Sequence, residues 1–272
     1  MFTTDTFDWG DYVLDALDRW LADENGEVRV AVDDDDRPIA IARVGLLTPS
    51  EAWMQGARVH PDWRRRGIAT ALGDSLIDWA REREALVARL AVEDWNTVAQ
   101  AQVEAVGMRR VARFTRAHRQ TSSTDTSTEG NGGRRVRSSL RLRGAPTEET
   151  EPAFVAWASS PLCRQVRGLF STHWSWRRLT PEDLREAAAR GALWMAAGGW
   201  AIAEMGPKTF EIGWCETRPD TARDMARALV DLAADKEATT VQAMVVATDW
   251  MRDAFAESGY DLAGVDIYAI GL

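Results

Sequence analysis

The sequence contains few cysteines and few histidines, and it has no long apolar run. Cys163 and Cys215 lie far apart without a CxxC motif, so the pattern predicts neither a disulfide framework nor a zinc site. The three histidines, His60, His118 and His173, have no metal-ligand spacing. No window holds about 18 consecutive apolar residues, and acidic residues precede any apolar run at the N-terminus. We therefore expect a cytoplasmic protein with no metal, no membrane span and no signal peptide.

Lysine is almost absent, and the overall charge is negative. Only Lys208 and Lys236 are lysines among the 33 basic residues, the rest being arginine, and the formal net charge is -9. This bias is typical of an acidic, salt-tolerant proteome. A negative surface works against general binding to nucleic acid. The cluster of arginines at positions 134, 135, 137, 141 and 143 alternates with smaller or apolar residues, so it predicts a half-buried strand with a basic outer face rather than a nucleic-acid site.

The first 120 residues predict a mixed α/β lobe. Apolar residues recur at helical spacing in some segments and alternate or run continuously in others. The predicted helices cover residues 12–21, 66–83 and 97–106, and the predicted strands cover residues 28–32, 39–47, 53–59, 86–92 and 109–117. Gly107 is the expected C-cap of the third helix.

A similar order of elements returns after a Ser/Thr/Gly stretch at residues 121–133. This stretch has no large apolar residue that could anchor it to a core, so it predicts a linker between a lobe at 1–120 and a lobe at 134–272. In the second lobe we predict helices at 147–157, 180–189, 221–234 and 251–257, and strands at 136–142, 193–197, 200–205, 210–216, 240–246 and 265–270. The chain is thus predicted to contain two copies of one plan.

The segment most informative about chemistry joins the third strand of the first lobe to its second helix. It reads VHPDWRRRGIAT over residues 59–70. A basic, glycine-containing turn that leads into a helix places free backbone N–H groups and the positive end of the helix dipole at one point. Gly67 permits close approach of the backbone, and arginine can pair with phosphate in a bidentate manner. The segment therefore predicts a site for an anion such as pyrophosphate.

This segment resembles the phosphate-binding loop of the GNAT superfamily of acyltransferases. The family signature is Arg or Gln, two residues, Gly, one residue, then Gly or Ala, and Arg64, Gly67 and Ala69 occupy those positions. The likeness extends to Val59 and Pro61 upstream and to Asn96, Ala99 and Gly107 downstream. The resemblance implies an α/β (α+β) fold of two GNAT-like lobes, each a mixed, mostly antiparallel sheet flanked by helices.

The resemblance also implies a co-substrate, acetyl-CoA, and a set of residues that bind it. In such proteins the strand before the loop splays from its neighbour and its backbone binds the pantetheine arm, while the loop amides bind the pyrophosphate. Backbone N–H groups around Ala57 would stabilise the oxyanion as an amine attacks the thioester. The residues implied in cofactor binding are Arg58 and Val59 for the pantetheine, Arg64, Arg65, Arg66, Gly67, Ile68, Ala69 and Thr70 for the pyrophosphate, and the Asn96 amide for the arm.

Proton transfer is where the sequence departs from the family pattern. The family often has a thiolate-protonating tyrosine four residues before the glycine at position 107, but Val103 stands there, so the donor could be solvent or a residue of the other lobe. Candidate bases are Glu51, ahead of the splayed strand, and Glu93 or Asp94, after the next strand. Each of these carboxylates could equally be an ordinary solvated group.

Both lobes depart from the family in other ways. Only about ten residues precede the first helix, so the first strand of the family is expected to be missing, and a misassigned start codon would explain this equally well. The second lobe has TRPD at residues 217–220, with no glycine and an acid where phosphate would bind, and Phe255 occupies the position that matches Val103. We therefore expect a degenerate second lobe that completes the acceptor pocket. Trp174, Trp176 and Trp200 either line that pocket and the lobe interface or belong to the core.

Two functions remain open from the sequence. The first is a soluble N-acetyltransferase that acylates a primary amine, either a small molecule or a protein, as a monomer or a homodimer. The second is a non-catalytic acyl-CoA-binding or structural protein. No feature of the sequence identifies the acceptor, because specificity in such folds resides in loops.

Overall fold

The computed structural model describes residues 11–121 and 138–272. The chain divides into two compact units, which are treated separately below. Unit 1 comprises Met1–Val111 and Asp266–Leu272, and unit 2 comprises Ala112–Val265. None of the helices in the described ranges combines the length and the apolar character that crossing a membrane requires.

Unit 1 alternates helices and strands largely as the sequence predicts. Its helices are α1 (Val13–Leu21), α2 (Ile68–Glu82) and α3 (Thr97–Ala105), and a short 3-10 helix covers Pro61–Trp63. Its strands are β1 (Gly26–Val32), β2 (Pro38–Thr48), β3 (Glu51–Val59), β4 (Val87–Glu93) and the first residues of β5 (Arg109–Gln120). The strand predicted to be missing concerns residues 1–10, which lie outside the described residues.

The sheet of unit 1 places β3 and β4 side by side, with the C-terminal segment of the chain beyond them. The strand order is β1, β2, β3, β4 and then β13 (Asp261–Gly271), of which residues 266–271 belong to this unit. Strands β1 to β3 pair antiparallel, whereas β3 and β4 are parallel. The parallel pair requires the crossover that α2 provides.

Two helices cover opposite faces of this sheet. Leu76 and Trp79 of α2 pack into a core that includes Ala40 and Ala42 of β2. Trp20 of α1 packs instead against Ile41, the residue between those two alanines. Because successive residues of a strand point to opposite faces, α1 and α2 lie on different sides of the sheet.

Unit 2 repeats the plan with additions. Its helices are α4 (Thr150–Ser159), α5 (Pro161–Gln165), α6 (Pro181–Ala189), α7 (Ala222–Asp235) and α8 (Asp249–Ala256). Its strands, besides most of β5 and the first part of β13, are β6 (Arg143–Gly144), β7 (Leu169–Thr172), β8 (Ser175–Arg178), β9 (Leu193–Ala196), β10 (Gly199–Met205), β11 (Thr209–Thr217) and β12 (Thr240–Val246). Strands β11 and β12 are parallel and connected through α7, as β3 and β4 are through α2.

Two parts of unit 2 differ from the sequence-based expectations. The strand predicted at 136–142 is wrong over its described residues, 138–142, which form no strand, and only the two-residue β6 follows. Helix α5 and the hairpin β7–β8 were not predicted. The hairpin turns through His173 and Trp174, both with positive φ and neither a glycine nor an asparagine, so the usual turn signal is missing.

The predicted linker lies almost entirely outside the described residues, since only Thr121 of the range 121–133 is included. Along the chain, the boundaries between the two units fall at positions 111 and 112, within β5, and at 265 and 266, within β13. Each of these long strands therefore contributes residues to both units.

Candidate functional site

The central feature of unit 1 is a gap between the parallel strands β3 and β4. Their register covers only residues 51–53 of β3 and 87–89 of β4. From residue 54 onward β3 continues to Val59 without pairing to β4, and β4 continues to Glu93. The gap opens at the carboxyl ends of the strands, the edge at which open α/β sheets bind ligands.

A β-bulge interrupts β3 beside this gap. In the register with β2, Gln55 pairs with Arg43 and Arg58 pairs with Ile41, so Gly56 and Ala57 together stand opposite one residue. Gly56 has φ +71°, and a Cβ atom built there would lie 2.5 Å from the Trp20 ring. Only glycine fits this backbone conformation beneath Trp20. The bulge leaves backbone groups of β3 outside the ladder, near the predicted oxyanion position.

Tyr12, at the start of α1, reaches this bulge, which the sequence alone did not indicate. The backbone of Gly56 is close enough to the Tyr12 phenol to lower the phenol pKa. The ring lies 6.0 Å from Trp20, edge to face, and the Arg58 guanidinium lies 5.5 Å from its centre. No motif marks Tyr12 in the sequence, because its proximity to β3 depends on how α1 packs on the sheet.

The turn that follows β3 is tight and leads directly into α2. Arg65 has φ +61° and Gly67 has φ +77°, so two left-handed residues bring the chain round after the 3-10 helix. Gly67 occupies the N-cap position, and no side chain in the described structure caps this helix. The first bond within the helix runs from the Ala71 N–H to the Gly67 carbonyl, which leaves the amides of the first turn available to a ligand.

Two of the predicted arginines shape this turn rather than project from it. Arg64 Nε donates a hydrogen bond of 3.2 Å to the Val59 carbonyl oxygen. Arg66 donates one of 3.2 Å to the Asp62 carbonyl oxygen, and its guanidinium lies 4.6 Å from the centre of the Trp63 ring. These contacts fix the loop and keep positive charge close to the α2 N-terminus.

The turn fits a pyrophosphate group. A Cβ atom built on Gly67 meets nothing within 4 Å, so open space lies directly above the helix N-terminus. The first turn of α2, which includes Ile68, Ala69 and Thr70, contains no acidic residue. Unpaired amides, the helix dipole and nearby arginines together favour a bound anion.

Asn96 and Arg58 lie at the same edge of the sheet and already have protein partners. Asn96 follows β4 and caps α3, its Oδ1 accepting the Ala99 N–H at 3.1 Å. Arg58 Nε donates to Asp11 Oδ2 at 2.6 Å, and the Asp11 side chain is fully buried. Of the implied cofactor residues, Asn96 thus offers its amide nitrogen, whereas the Arg58 side chain is held by the start of α1.

The three candidate bases do not converge. Glu51 lies at the closed end of the gap, where it is buried and forms an ion pair of 2.6 Å with Arg89. Glu93 ends β4 at the open end, and Asp94 is exposed just beyond it. Six residues of parallel strand separate the level of Glu51 from that of Glu93, a distance of about 20 Å. They cannot serve one reacting centre together.

Val103, at the position of the family's acid, packs against the hydrophobic core of unit 1 on α3. It has no group that could protonate a thiolate. A proton donor for acyl transfer must therefore come from elsewhere in the chain or from solvent.

The corresponding turn of unit 2 does not fit an anion. Strands β11 and β12 also separate after a short parallel register, which covers residues 209–212 and 240–243. In the turn that follows, Arg218 pairs with Asp220 at 3.1 Å, and Asp224 stands in the first turn of α7. Acidic side chains at a helix N-terminus repel phosphate.

A buried carboxylic acid lies in β11 of unit 2. Glu216 is one residue from the end of β11, as Arg58 is in β3, and its side chain accepts a 3.0 Å hydrogen bond from Ser160 Oγ. Burial raises the pKa of Glu216 from 4.5 to about 7, and the bond from Ser160 offsets only part of this shift. Burial, with Glu216 as a second cause, also raises the pKa of Cys215 to about 12. Unit 2 thus has a buried acid, Glu216, at the position where unit 1 has the cation Arg58. This difference is a further reason why unit 2 does not suit acetyl-CoA.

A Glu216→Gln variant is expected to be more stable than the native protein at pH 8 and similar to it at pH 4.5. The folded state binds the Glu216 proton more tightly than the unfolded state, so stability falls as pH rises from 4.5 to about 7 and is level above that. Over this range the free energy of unfolding of the native protein falls by roughly 3 kcal/mol. Glutamine does not ionise, so the variant keeps this stability, and its side-chain oxygen still accepts the hydrogen bond from Ser160. Urea unfolding across this pH range checks the result. A native protein as stable at pH 8 as at pH 5 would contradict it.

The three tryptophans singled out in the sequence occupy different environments. Trp176 is fully buried and packs 5.7 Å from Phe114 and 6.2 Å from Trp174. Trp174 lines a small cavity within unit 2, together with His173 and Glu211. Trp200 is half-buried. Trp176 is therefore a core residue, whereas Trp174 lines a cavity.

Comparison with known proteins gives a family match over the first part of the chain and solved structures of similar fold. The Acetyltransferase (GNAT) family model matches residues 1–108. Similar solved structures include a GCN5-related N-acetyltransferase from Sphaerobacter thermophilus, with TM-score 0.65 and 14% identity, covering 95% of this chain and 85% of that one. A putative acetyltransferase from Thermoplasma acidophilum has TM-score 0.59 and 16% identity over 98% and 86% of the two chains.

A tandem GNAT protein from the clavulanic acid biosynthesis pathway is also similar, with TM-score 0.51 and 17% identity over 91% of this chain and 84% of that one. No curated protein matches the sequence. The predicted resemblance and the mixed α/β, mostly antiparallel fold are thereby confirmed. At these identities the solved structures establish the fold and leave the acceptor open.

Proposed function

We propose that this chain, whose residues 1–108 belong to the GNAT family, is an N-acetyltransferase that moves the acetyl group of acetyl-CoA directly to a primary amine. The observation that supports this most is the continuity of two features in unit 1. The gap between β3 and β4 opens at the same edge of the sheet as the uncapped glycine turn before α2. Acetyl-CoA has an anionic pyrophosphate and a narrow pantetheine arm. Such a molecule suits a gap between two strands that ends at an anion-binding turn.

Each part of this arrangement would have its own task. The amides of α2 and the turn around Gly67 would hold the pyrophosphate, and the unpaired edge of β3 after residue 54 would bind the pantetheine by backbone hydrogen bonds. The bulge at Gly56 and Ala57 would then lie beside the thioester, where a backbone N–H can stabilise a developing oxyanion. The acceptor would be a small-molecule or protein amine.

A second candidate function is acyl-CoA binding without turnover. It is favoured by the side chains at two positions where chemistry is expected. Val103 offers no proton, and Glu51 is committed to a buried ion pair with Arg89. The two candidates make the same prediction for binding and differ in turnover.

Isothermal calorimetry with acetyl-CoA tests the cofactor site. One acetyl-CoA per chain is expected, because unit 1 has the open turn and unit 2 has an acidic one. Absence of binding by the folded protein would overturn both candidates. Two equivalent sites per chain would contradict the assignment of the acidic turn of unit 2 as inactive.

Turnover separates enzyme from binding protein. Release of CoA thiol is measured with a panel of primary amines that covers polyamines, amino acids, aminoglycosides and peptide N-termini. Acetyl transfer to any of them, confirmed by mass spectrometry, supports the enzyme. Tight binding without transfer to any class, and without slow thioester hydrolysis, favours the binding protein.

A further inference from the structure

The chain contains three tyrosines, and all lie in described residues. Two of them have hydroxyls that are hydrogen-bonded to other groups of the protein. Tyr260 is buried in unit 2, and its hydroxyl donates to the Ala226 carbonyl oxygen at 3.1 Å. The Tyr268 hydroxyl donates to Glu104 Oε1 at 3.4 Å on α3. Tyr12 is the tyrosine whose ring lies beside the β3 bulge, 5.5 Å from the Arg58 guanidinium and 6.0 Å from Trp20, whose ring covers Gly56.

Tyr12 is 39% exposed, and two neighbours of its ring also border the bulge. Trp20 lies edge to face with the ring at 6.0 Å, and the Arg58 guanidinium lies 5.5 Å from the ring centre. Arg58 is itself held by two hydrogen bonds to Asp11, of 2.6 and 3.1 Å. The ring therefore lies beside Gly56, which stands outside the register between β2 and β3.

We propose that Tyr12 is the proton donor to the departing thiolate of CoA, a role that the apolar Val103 cannot fill. This inference rests on the proposed function. It places Tyr12, at the start of α1, beside the bulge that would meet the thioester.

Acetyl transfer with Tyr12 as the proton donor needs no further reactant. As the amine nitrogen attacks the carbonyl carbon, the new C–N bond forms and the C–S bond breaks. The Tyr12 O–H bond breaks and its proton goes to sulfur, which leaves CoA as the thiol. The tyrosinate then recovers a proton from the positively charged amide nitrogen, directly or through water. The net reaction converts amine and thioester to amide and thiol.

The surroundings of Tyr12 suit an acid of this kind. Burial raises the pKa of Tyr12, and Asp11 raises it further, so the phenol holds its proton at neutral pH. Arg58 and the Gly56 backbone act in the opposite direction and would stabilise the transient tyrosinate. Among the described residues, these groups from the start of α1 and from β3 influence its ionisation.

The first test compares three Tyr→Phe variants of the full chain. Tyr12→Phe is expected to lower kcat about 100-fold while the KM of the amine and the Kd of acetyl-CoA stay within about twofold. Phenylalanine keeps the ring packing, and an unchanged melting temperature confirms the fold. Tyr260→Phe is the control for loss of a tyrosine hydroxyl, and Tyr268→Phe tests the competing donor on β13. A large loss in Tyr268→Phe with normal activity in Tyr12→Phe would overturn the inference.

The second test does not depend on turnover. Saturating CoA is expected to raise the pKa of one tyrosine by roughly one pH unit, since a thiolate beside the phenol disfavours tyrosinate. The near-ultraviolet absorbance of tyrosinate, followed against pH with and without CoA, measures this shift, which Tyr12→Phe should abolish and Tyr260→Phe should retain. A shift that persists in Tyr12→Phe would overturn the inference. Failure of the wild-type protein to bind CoA or acetyl-CoA would instead overturn the proposed function.

Discussion

A Gly67→Glu variant is expected to lose about 1,000-fold in affinity for acetyl-CoA, equivalent to about 4 kcal/mol. The new side chain would enter the open space above the α2 N-terminus and place a carboxylate where the pyrophosphate is proposed to bind. Several charge-assisted hydrogen bonds from backbone amides would be lost at once. Calorimetry with acetyl-CoA measures the loss directly.

Unit 2 offers a matched control for this substitution. Gly191 has φ +73°, close to the φ of +77° at Gly67, and a Cβ atom built there also meets nothing within 4 Å. Gly191→Glu should therefore lower the free energy of unfolding by about 1 kcal/mol, as Gly67→Glu does, because both place a side chain on a left-handed backbone. It should leave the affinity for acetyl-CoA unchanged. Equal affinities in the two variants would show that the turn before α2 is not the cofactor site.

Replacing Glu51 by leucine is expected to lower the free energy of unfolding by about 3 to 5 kcal/mol. The change leaves the Arg89 guanidinium buried in the sheet without its partner, since both side chains of the ion pair are almost inaccessible to solvent. Guanidinium chloride unfolding measures the loss. A destabilisation of this size would mark Glu51 as a structural residue of the closed end of the gap.

A double variant separates structure from catalysis at this position. Glu51→Leu combined with Arg89→Leu removes both charges and should recover most of the lost stability, because a buried ion pair can be replaced by apolar side chains at little cost. If the double variant is stable and still transfers acetyl groups at the native rate, Glu51 is not the base. If it is stable but inactive, the Glu51–Arg89 pair is required for transfer.

Much of the architecture follows from local patterns. The strand predicted at 240–246 coincides with β12, and the helix predicted at 180–189 coincides with α6 to within a residue. The α6 boundary was marked by Thr180, whose side chain forms a capping box with Asp183. Such signals act between residues close in sequence, and so they can be read without knowing the fold.

Two short elements were missed. Helix α5 begins with a capping serine, Ser160, and with Pro161 at its first position, but its five residues are too few to show helical periodicity. The hairpin of β7 and β8 turns through His173 and Trp174, residues that seldom adopt positive φ, and the surrounding contacts must compensate for that strain. Neither element could be inferred from propensity, because tertiary packing holds both.

By itself, the sequence determined most of the order of helices and strands, the basic glycine turn around Gly67 and the acidic turn of unit 2. Each of these depends on neighbouring residues, whose backbone conformation and charge are set locally. Only the tertiary structure decided that β3 and β4 separate after three pairs, that Glu51 is bound to Arg89 and that the Tyr12 ring lies beside the bulge at Gly56. These features join residues distant in the chain, and their contacts arise from which faces of the sheet α1 and α2 cover.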